Sequence, residues 1–210
     1  MKLLKTIGFL PLSYLDSFCS KNKDLFFRYQ RAQLWSTKLL SSLNYTLEVI
    51  NPIQANETYF LVCNHQSTFD PLMIVASYPN PLTFISKIEN KKIPIINRWA
   101  NNLEIIYFDR QSREGNISML RQATNKLKQN QSVLIFPEGT RSKSKTLSLL
   151  KAGALQPAKL ANKPICVVTL INSYEFDIKH KGHDVMKIVY GPILDASIFK
   201  EKYRFTTNNP

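Results

Sequence analysis

The chain has 210 residues, a hydrophobic fraction of 44% and a formal net charge of +13 at pH 7. This length suffices for one domain with a full core, and the charge favours a polyanionic partner such as nucleic acid, an anionic membrane or a phosphorylated substrate. Three cysteines without metal-like spacing argue against a disulfide framework. The longest apolar run, Ile7–Leu15, is too short to span a bilayer, and no secretory signal is expected.

Residues 1–43 are predicted to form two helices that precede the main domain. We expect the first over about Leu3–Phe18 and the second over about Asp24–Leu43, with Asp24 as its N-cap. The segment combines an apolar stripe at helical spacing with seven basic and two acidic residues, a net charge of +5. Such a segment can lie in a membrane interface, and the same stripe fits packing on the domain equally well. We interpret 1–43 as an amphipathic membrane-docking segment and 44–205 as the main domain.

After the N-terminal segment, short β-type runs alternate with helical stretches. The predicted strands are Tyr45–Ile50, Thr58–Cys63, Leu82–Ser86, Ile105–Phe108, Ser132–Phe136, Ile165–Ile171 and Val185–Tyr190. The predicted helices are Thr68–Tyr78, Ile93–Ala100, Arg113–Gln129, Ser148–Ala161 and Ala196–Tyr203. This alternation predicts an α/β fold: a single domain with a largely parallel central sheet flanked by helices, plus an N-terminal two-helix appendage.

The first candidate site follows the strand that ends at Cys63. Asn64 and His65 come directly after it, and Asp70 follows at the start of the next helix, which Thr68 is expected to cap. Sites in α/β sheets form at the carboxyl ends of strands. Across such a corner the aspartate can turn back to the histidine, fix its tautomer and stabilise the imidazolium. Taken alone, this spacing more often means a capping aspartate beside an incidental histidine.

Two further predicted strands run into charged turns, Asp109-Arg110 and Pro137–Ser142. In the second turn, Gly139 permits a positive φ or the close approach of a ligand. Thr140, Arg141 and the backbone amides there can cradle an anion, and arginine offers a planar fork suited to phosphate. Because the carboxyl ends of parallel strands meet at one edge of a sheet, we expect the histidine and both arginines to share one cleft.

These sequences resemble the motifs of the glycerolipid acyltransferase family, in particular its 1-acylglycerol-3-phosphate (lysophosphatidic acid) acyltransferases. Asn64-His65-x4-Asp70 matches the first motif, Tyr107–Arg110 the second, and Phe136–Ser142 reproduces the whole third motif, Phe-Pro-Glu-Gly-Thr-Arg-Ser. The resemblance covers about residues 45–175. The chain departs from the family at Glu104, where the second motif usually has glycine, and in the fourth motif, which keeps only the first of two prolines, Pro164.

The resemblance implies a role for each matching residue. His65 would be the general base on the free hydroxyl of a glycerol-phosphate acceptor, with Asp70 orienting it. The acceptor phosphate would bind Arg110 and the turn Glu138-Gly139-Thr140-Arg141, with Lys87 as a further candidate. Since a carboxylate repels phosphate, we expect Glu138 to orient an arginine or contact a hydroxyl. No metal or cofactor is expected, because the acyl donor is a co-substrate, a thioester of coenzyme A or acyl carrier protein.

The partners implied are a lysophospholipid, an acyl thioester, an anionic membrane surface and, as a donor, acyl carrier protein. The expected location is the cytoplasmic face of a membrane, as a peripheral or monotopic protein. One alternative is acylation of glycerol-3-phosphate or another lysophospholipid by the same mechanism. A basic nucleic-acid-binding protein is disfavoured because no such motif is present. A metal hydrolase would use His65, Asp70 and the pair His180 and His183, with Asp177 or Asp184, but two histidines with no partner at metal-ligand spacing are weak evidence.

Overall fold

The computed structural model describes residues 2–55, 57–151, 153–175 and 184–201, and in this part of the chain seven strands form one sheet. The strands are β1 (Tyr45–Ile50), β2 (Phe60–Cys63), β3 (Leu82–Lys87), β4 (Ile106–Phe108), β5 (Ser132–Ile135), β6 (Ile165–Ile171) and β7 (Asp184–Leu194). Their order across the sheet is β1-β7-β6-β2-β5-β3-β4. All neighbours are parallel except β6 and β7. The predicted α/β fold with a largely parallel sheet is confirmed.

Helices precede, connect and follow the strands. They are α1 (Lys2–Ser20), α2 (Leu25–Ser42), α3 (Asp70–Ser77), α4 (Pro94–Asn102), α5 (Arg113–Lys128), α6 (Gln156–Ala161) and α7 (Ile198–Glu201), with a short 3-10 helix over Ile88–Lys92. Asp24 caps α2 as predicted, because its carboxylate accepts a hydrogen bond from the Phe27 N–H. The last residues of the predicted C-terminal helix, after Glu201, lie outside the described part of the chain.

Two details of the predicted helices are wrong. Helix α3 begins at Asp70, with Phe69 rather than Thr68 at the N-cap position, and the Thr68 hydroxyl instead accepts a hydrogen bond from Arg141. The predicted helix Ser148–Ala161 is helical only from Gln156. Before it, the backbone N–H groups of Ser148 and Lys151 donate to Glu138 and Pro137 in the turn after β5. Gly153 then adopts φ +80°, which is not a helical conformation, and Pro157 stands in the first turn of the observed helix.

The sheet is covered on both faces, and α2 is part of the core. On one face, α2 and α3 pack side chains such as Tyr29, Leu40 and Met73 against the central strands. On the other face, α5 and α6 contribute Leu127 and Ala158. The packing interpretation of the N-terminal segment therefore holds for the inward face of α2. This burial also means that residues 1–43 supply core side chains to the domain.

Helix α1 has the reverse of the usual amphipathic arrangement. Over residues 8–20, whose side chains the structure describes, the buried positions are serines, namely Ser13, Ser17 and Ser20, which face the rest of the protein. Its exposed positions are apolar: Leu10, Leu12, Leu15 and Phe18, of which Leu15 is 60% exposed. Soluble helices bury their apolar stripe, so α1 presents to the exterior the surface that such helices hide. Exposed contiguous apolar surface marks an interaction site.

Glu104, which departs from the family's second motif, lies just before β4 in a left-handed conformation with φ 54°. Glycine adopts this conformation without strain, which accounts for the glycine that the family usually has there. The carboxylate is bonded by Arg28 of α2 and Lys126 of α5. Burial raises the pKa of Glu104, but the hydrogen bonds from Lys126 and Arg28 outweigh burial and lower it overall. Glu104 thus has a strained backbone conformation, and its carboxylate links α2 to α5.

Candidate active site

His65 and Asp70 form a hydrogen-bonded pair at the carboxyl end of β2. The ring Nδ1 lies 2.7 Å from Asp70 Oδ2, and the same oxygen accepts the N–H groups of Gln66 and Ser67 at 2.7 and 2.9 Å. Asp70 is fully buried, whereas the His65 side chain is 19% exposed. Because a carboxylate only accepts, the pair holds a proton on Nδ1 and leaves Nε2 unprotonated in the neutral ring. The geometry fits a base whose orientation is fixed.

The ring and the backbone of His65 are both held by the segment that follows β5. The ring stacks on Phe136 with 4.0 Å between centroids and 17° between planes. The backbone N–H donates to Glu138 Oε1 at 2.6 Å, and the backbone carbonyl accepts from the Ser142 N–H at 2.8 Å. Residues 73 positions apart in sequence therefore meet at the histidine. The segment Phe136–Ser142 therefore positions His65.

In the described part of the chain, Glu138 contacts two backbone amides and no arginine, so our expectation that its carboxylate orients an arginine is wrong. Its two oxygens accept from the N–H groups of His65 and Ser148, the latter at 2.8 Å, and the residue is 2% exposed. Buried backbone donors require partners, and the carboxylate supplies one to each of two segments. Glu138 thus ties the histidine turn to the segment that precedes α6.

Asn64 holds the other side of the same turn. Its side-chain oxygen accepts from the Leu170 N–H at 2.7 Å, and its amide group donates to the Leu170 carbonyl at 3.0 Å. The side chain therefore bonds the end of β6 much as a neighbouring strand would. The sequence placed Asn64 in the motif but gave it no role, since nothing in the chain indicates a partner 106 residues away.

Three basic side chains gather beside the histidine turn. Lys87 ends β3, Arg110 follows β4, and Arg141 follows β5 and donates to Thr68. Burial lowers the pKa of Lys87, and the charges of Arg110 and Arg141 lower it further, against an opposing effect of Glu89. Charges shift a pKa in this way only at short range. Because β5, β3 and β4 are adjacent parallel strands, Lys87 and the two arginines lie at the same edge of the sheet.

Gly139 and Thr140 belong to the turn that follows β5, and Gly139 lies against Arg110. Gly139 has φ +72°, and a Cβ built there would lie 3.3 Å from the Arg110 guanidinium. The positive φ favours glycine, as its sequence position suggested, and a side chain there would make the arginine shift. Thr140 is exposed on the same turn. Such a group of donors and cations can bind a phosphate.

An open apolar cavity of about 480 Å³ lies next to the histidine turn. Asn64 and Gln66, on either side of His65, contribute to its wall. The rest of its lining is mainly aliphatic and includes Val62, Val167, Leu147, Leu150 and Ile171. The site therefore joins a histidine, a group of cations and an apolar cavity that can accept a hydrocarbon chain.

Comparison with known proteins places the sequence in a family. The family model described as Acyltransferase matches residues 45–171, which include every residue of the site described above.

The chain belongs to the acyltransferase family.

Within the family, the chain resembles enzymes named for one activity. It is 32% identical over 157 residues to the 1-acyl-sn-glycerol-3-phosphate acyltransferase of Saccharomyces cerevisiae, covering 70% of this chain and 51% of the yeast protein. It is 36% identical over 114 residues to the enzyme of that name from Helicobacter pylori, covering 54% of this chain and 48% of the other. The acyltransferase chain thus spans about half the length of the curated relatives it matches.

The fold of this acyltransferase has also been seen experimentally. The crystal structure of the 1-acyl-sn-glycerophosphate (LPA) acyltransferase PlsC from Thermotoga maritima superposes with a TM-score of 0.74 at 21% sequence identity. The match covers 98% of this chain and 92% of that chain. It therefore extends to the two N-terminal helices, which the family model leaves outside its range.

The alternative metal site of this acyltransferase chain would draw mainly on residues outside the described ranges. In the described ranges, no three His, Cys, Asp or Glu side chains gather as a group that could hold a metal ion. His180, His183 and Asp177 lie outside those ranges, as does the side chain of Asp184.

Replacing Glu138 by alanine should destabilise the fold, because it leaves two part-buried backbone N–H groups without their acceptor. Each such loss costs ~1–3 kcal/mol, so we expect a total of ~2–6 kcal/mol, measured by urea unfolding. The control is Glu48→Ala, which removes an exposed ion pair with Lys187 and should cost under ~1 kcal/mol. If both variants unfold at the same urea concentration, Glu138 is not the clamp described here.

Proposed function

We propose that the chain transfers a fatty acyl group from an acyl thioester to the free hydroxyl of 1-acylglycerol-3-phosphate, giving phosphatidic acid for phospholipid biosynthesis. The names of its relatives support this acceptor. The observation that carries the proposal is the His65–Asp70 pair beside the cluster of Lys87, Arg110 and Arg141. A base next to a phosphate site is what acylation of a hydroxyl on a glycerol phosphate requires.

In this mechanism His65 acts first as base and then as acid. Its free Nε2 accepts the proton of the acceptor hydroxyl while the hydroxyl oxygen attacks the thioester carbonyl carbon. The carbon–sulfur bond then breaks, and the leaving thiolate takes the proton from the imidazolium. Asp70 holds the ring and stabilises its positive charge. The acyl group passes directly between the substrates, so no covalent enzyme intermediate forms.

The basic cluster fixes the acceptor by its phosphate. Arg110 and Arg141 would bind phosphate oxygens through their planar N–H groups, and Lys87 would add a third charge. Burial and, after it, the charges of Arg110 and Arg141 lower the pKa of Lys87, and a bound dianion would offset that repulsion between the cations. Gly139 and Thr140 would bring the turn close to the same group, with Glu138 shaping the turn from behind. Holding the phosphate places the free hydroxyl within reach of Nε2.

A direct assay tests the proposed reaction. Labelled acyl-coenzyme A and acyl-(acyl carrier protein) are each offered with 1-acylglycerol-3-phosphate in vesicles, and we expect labelled phosphatidic acid from at least one donor. Parallel reactions offer glycerol-3-phosphate and lysophosphatidylcholine. Product from one of these acceptors instead would keep the chemistry and reassign the acceptor. The absence of product from folded, vesicle-bound protein with every combination would contradict the proposal.

We also propose that the protein docks on the cytoplasmic face of a membrane as a peripheral or monotopic protein through α1. Its apolar residues face outward, while its serines face the domain. Basic residues border this segment, and each Lys or Arg near an anionic surface adds ~1 kcal/mol to binding. Within the described residues, no helix combines the length and apolar character needed to cross a bilayer. A lysophospholipid acceptor would reach the site from such a surface.

Removing apolar area from α1 should weaken docking. The double variant Leu12→Ser, Leu15→Ser should bind neutral phosphatidylcholine vesicles at least about tenfold more weakly in flotation, since a fully buried leucine contributes ~1.5–3 kcal/mol. The control Ile117→Ser, Leu160→Ser changes exposed residues of α5 and α6. Equal flotation of both variants would overturn the docking proposal. Deleting residues 1–43 is a poorer test, because Tyr29 and Leu40 belong to the core.

A further inference from the structure

A second basic pocket lies between α1 and α4, outside the candidate active site. It has a volume of about 340 Å³, and its walls include Lys91, Lys92 and Arg98 together with the amides of Asn97 and Asn101. No carboxylate lines it, and the described residues provide no ion pair for its three cations. It shares no lining residue with the cluster of Lys87, Arg110 and Arg141. Three cations without a counter-charge favour an anionic ligand.

The packing of α4 on α1 fixes this pocket in place. The Arg98 guanidinium lies 3.7 Å from the centre of the Phe18 ring. Trp99 donates to the Ser13 hydroxyl, and Asn102 donates to the Ser17 carbonyl, both at 2.9 Å. This cation–π contact holds the guanidinium, and its buried Nε has no hydrogen-bond partner among the described residues. The arginine is therefore pre-organised to bind an anion.

Apolar side chains accompany the cations of the pocket. Phe18 lines it and belongs to the exposed apolar face of α1. Ile93 and Ile96, close in sequence to its basic residues, are exposed at 44% and 42%. Cations beside exposed apolar side chains match a molecule with a phosphate group and hydrocarbon chains. Lys91 and Lys92 end the 3-10 helix Ile88–Lys92. Burial lowers the pKa of Lys87 and Arg110, which belong to the candidate active site, and Glu89, the acidic residue of this 3-10 helix, opposes that effect.

We propose that this pocket binds the phosphate group of an anionic membrane phospholipid, at a site separate from the one that holds the acceptor. The proposal rests on the docking of α1, because the pocket reaches a headgroup only when that face lies in the interface. Lys91, Lys92 and Arg98 would surround the phosphate, and Phe18 would contact the glycerol and chains. Binding there would orient the docked protein on an anionic surface.

Vesicle binding tests the charge of the pocket. Wild type should bind vesicles that contain phosphatidylglycerol more tightly than neutral ones. The double variant Lys91→Ala, Lys92→Ala should lose about 25-fold of that gain, at roughly fivefold per lysine. The control Lys128→Ala, Lys163→Ala removes the same charge from residues near the amino ends of β5 and β6, at the opposite edge of the sheet. Equal losses in both variants would overturn the proposal.

A charge-conserving variant separates a discrete pocket from diffuse attraction. Arg98→Lys keeps the net charge but removes the planar fork. The pocket predicts weaker binding of water-soluble dihexanoyl phosphatidylglycerol, followed by the fluorescence of Trp99 next to it, whereas diffuse attraction predicts no change. Thermal unfolding verifies that the variant is folded. If inorganic phosphate binds wild type as tightly as the lipid does, the pocket is a free-anion site and the lipid proposal is wrong.

The docking proposal and the pocket proposal fail in different ways. If wild type binds neither kind of vesicle, docking is wrong and the pocket proposal falls with it. A different result overturns the pocket proposal alone. In that case wild type binds neutral vesicles, and phosphatidylglycerol raises the vesicle affinity of the Lys91→Ala, Lys92→Ala variant as much as that of wild type.

Discussion

Replacing His65 by alanine is expected to lower turnover by ~10²–10⁴-fold, the usual contribution of a positioned general base. The effect should fall on kcat with little change in KM, because the proton transfer belongs to the transition state. The fold should survive, since the backbone contacts of residue 65 with Glu138 and Ser142 do not involve the ring.

The measurement is steady-state acyl transfer with purified protein in vesicles, accompanied by thermal unfolding. Asp70→Asn is a milder second variant, because it keeps the shape of the side chain but weakens the hydrogen bond to the Nδ1 proton of His65. It should also lower kcat, without abolishing acceptor binding. Wild-type turnover by a folded His65→Ala protein would refute the proposed mechanism.

The second large effect is expected from Arg141→Ala, which should raise KM for the acceptor by roughly 10- to 100-fold. A hydrogen bond to a charged group contributes ~1.5–3 kcal/mol, and the arginine is placed to make such bonds to phosphate. Because those bonds form in the ground state as well as the transition state, kcat should change far less.

The matched control is Arg121→Ala, which removes the same charge from an exposed position on α5. Arg141→Lys should lie between wild type and Arg141→Ala, because lysine keeps the charge but lacks the fork. Saturation curves for the acceptor distinguish the outcomes. If the Arg121 and Arg141 variants have the same KM, Arg141 is not part of the acceptor site.

The sequence predicted the strands well because their apolar runs are short and bounded. The bounds of β1 and β6 agree with the prediction, and β2 and β5 differ from it only at their ends. The pairing of His65 with Asp70 was also predictable, because both lie in one strand–turn–helix corner. Motif spacing was thus sufficient to predict contacts between residues that are close in sequence.

The tertiary contacts were not predictable in this way. Glu138 serves the backbone of His65, and Asn64 serves Leu170, but neither partner is marked by periodicity or motif spacing. In the segment predicted as a helix from Ser148, Glu138 and Pro137 fix the backbone of Ser148 and Lys151, and Gly153 adopts φ +80°, so the helix begins only at Gln156. Tertiary contacts override helical propensity there. The burial of the serine face of α1 could not be predicted from the sequence for the same reason. Which face of α1 is buried depends on the elements that pack against it.

The way His65 is held has a consequence for how the chain reaches activity. A chain synthesised only as far as α5 already contains both His65 and Asp70, but it lacks β5 and β6, which flank β2 in the finished sheet. The clamps from Glu138 and Leu170 span 73 and 106 residues. Contacts of such long sequence separation form late in folding. The two residues that would perform the chemistry are thus close in sequence. Their alignment, however, depends on strands that are synthesised later, so it is complete only when the sheet is complete.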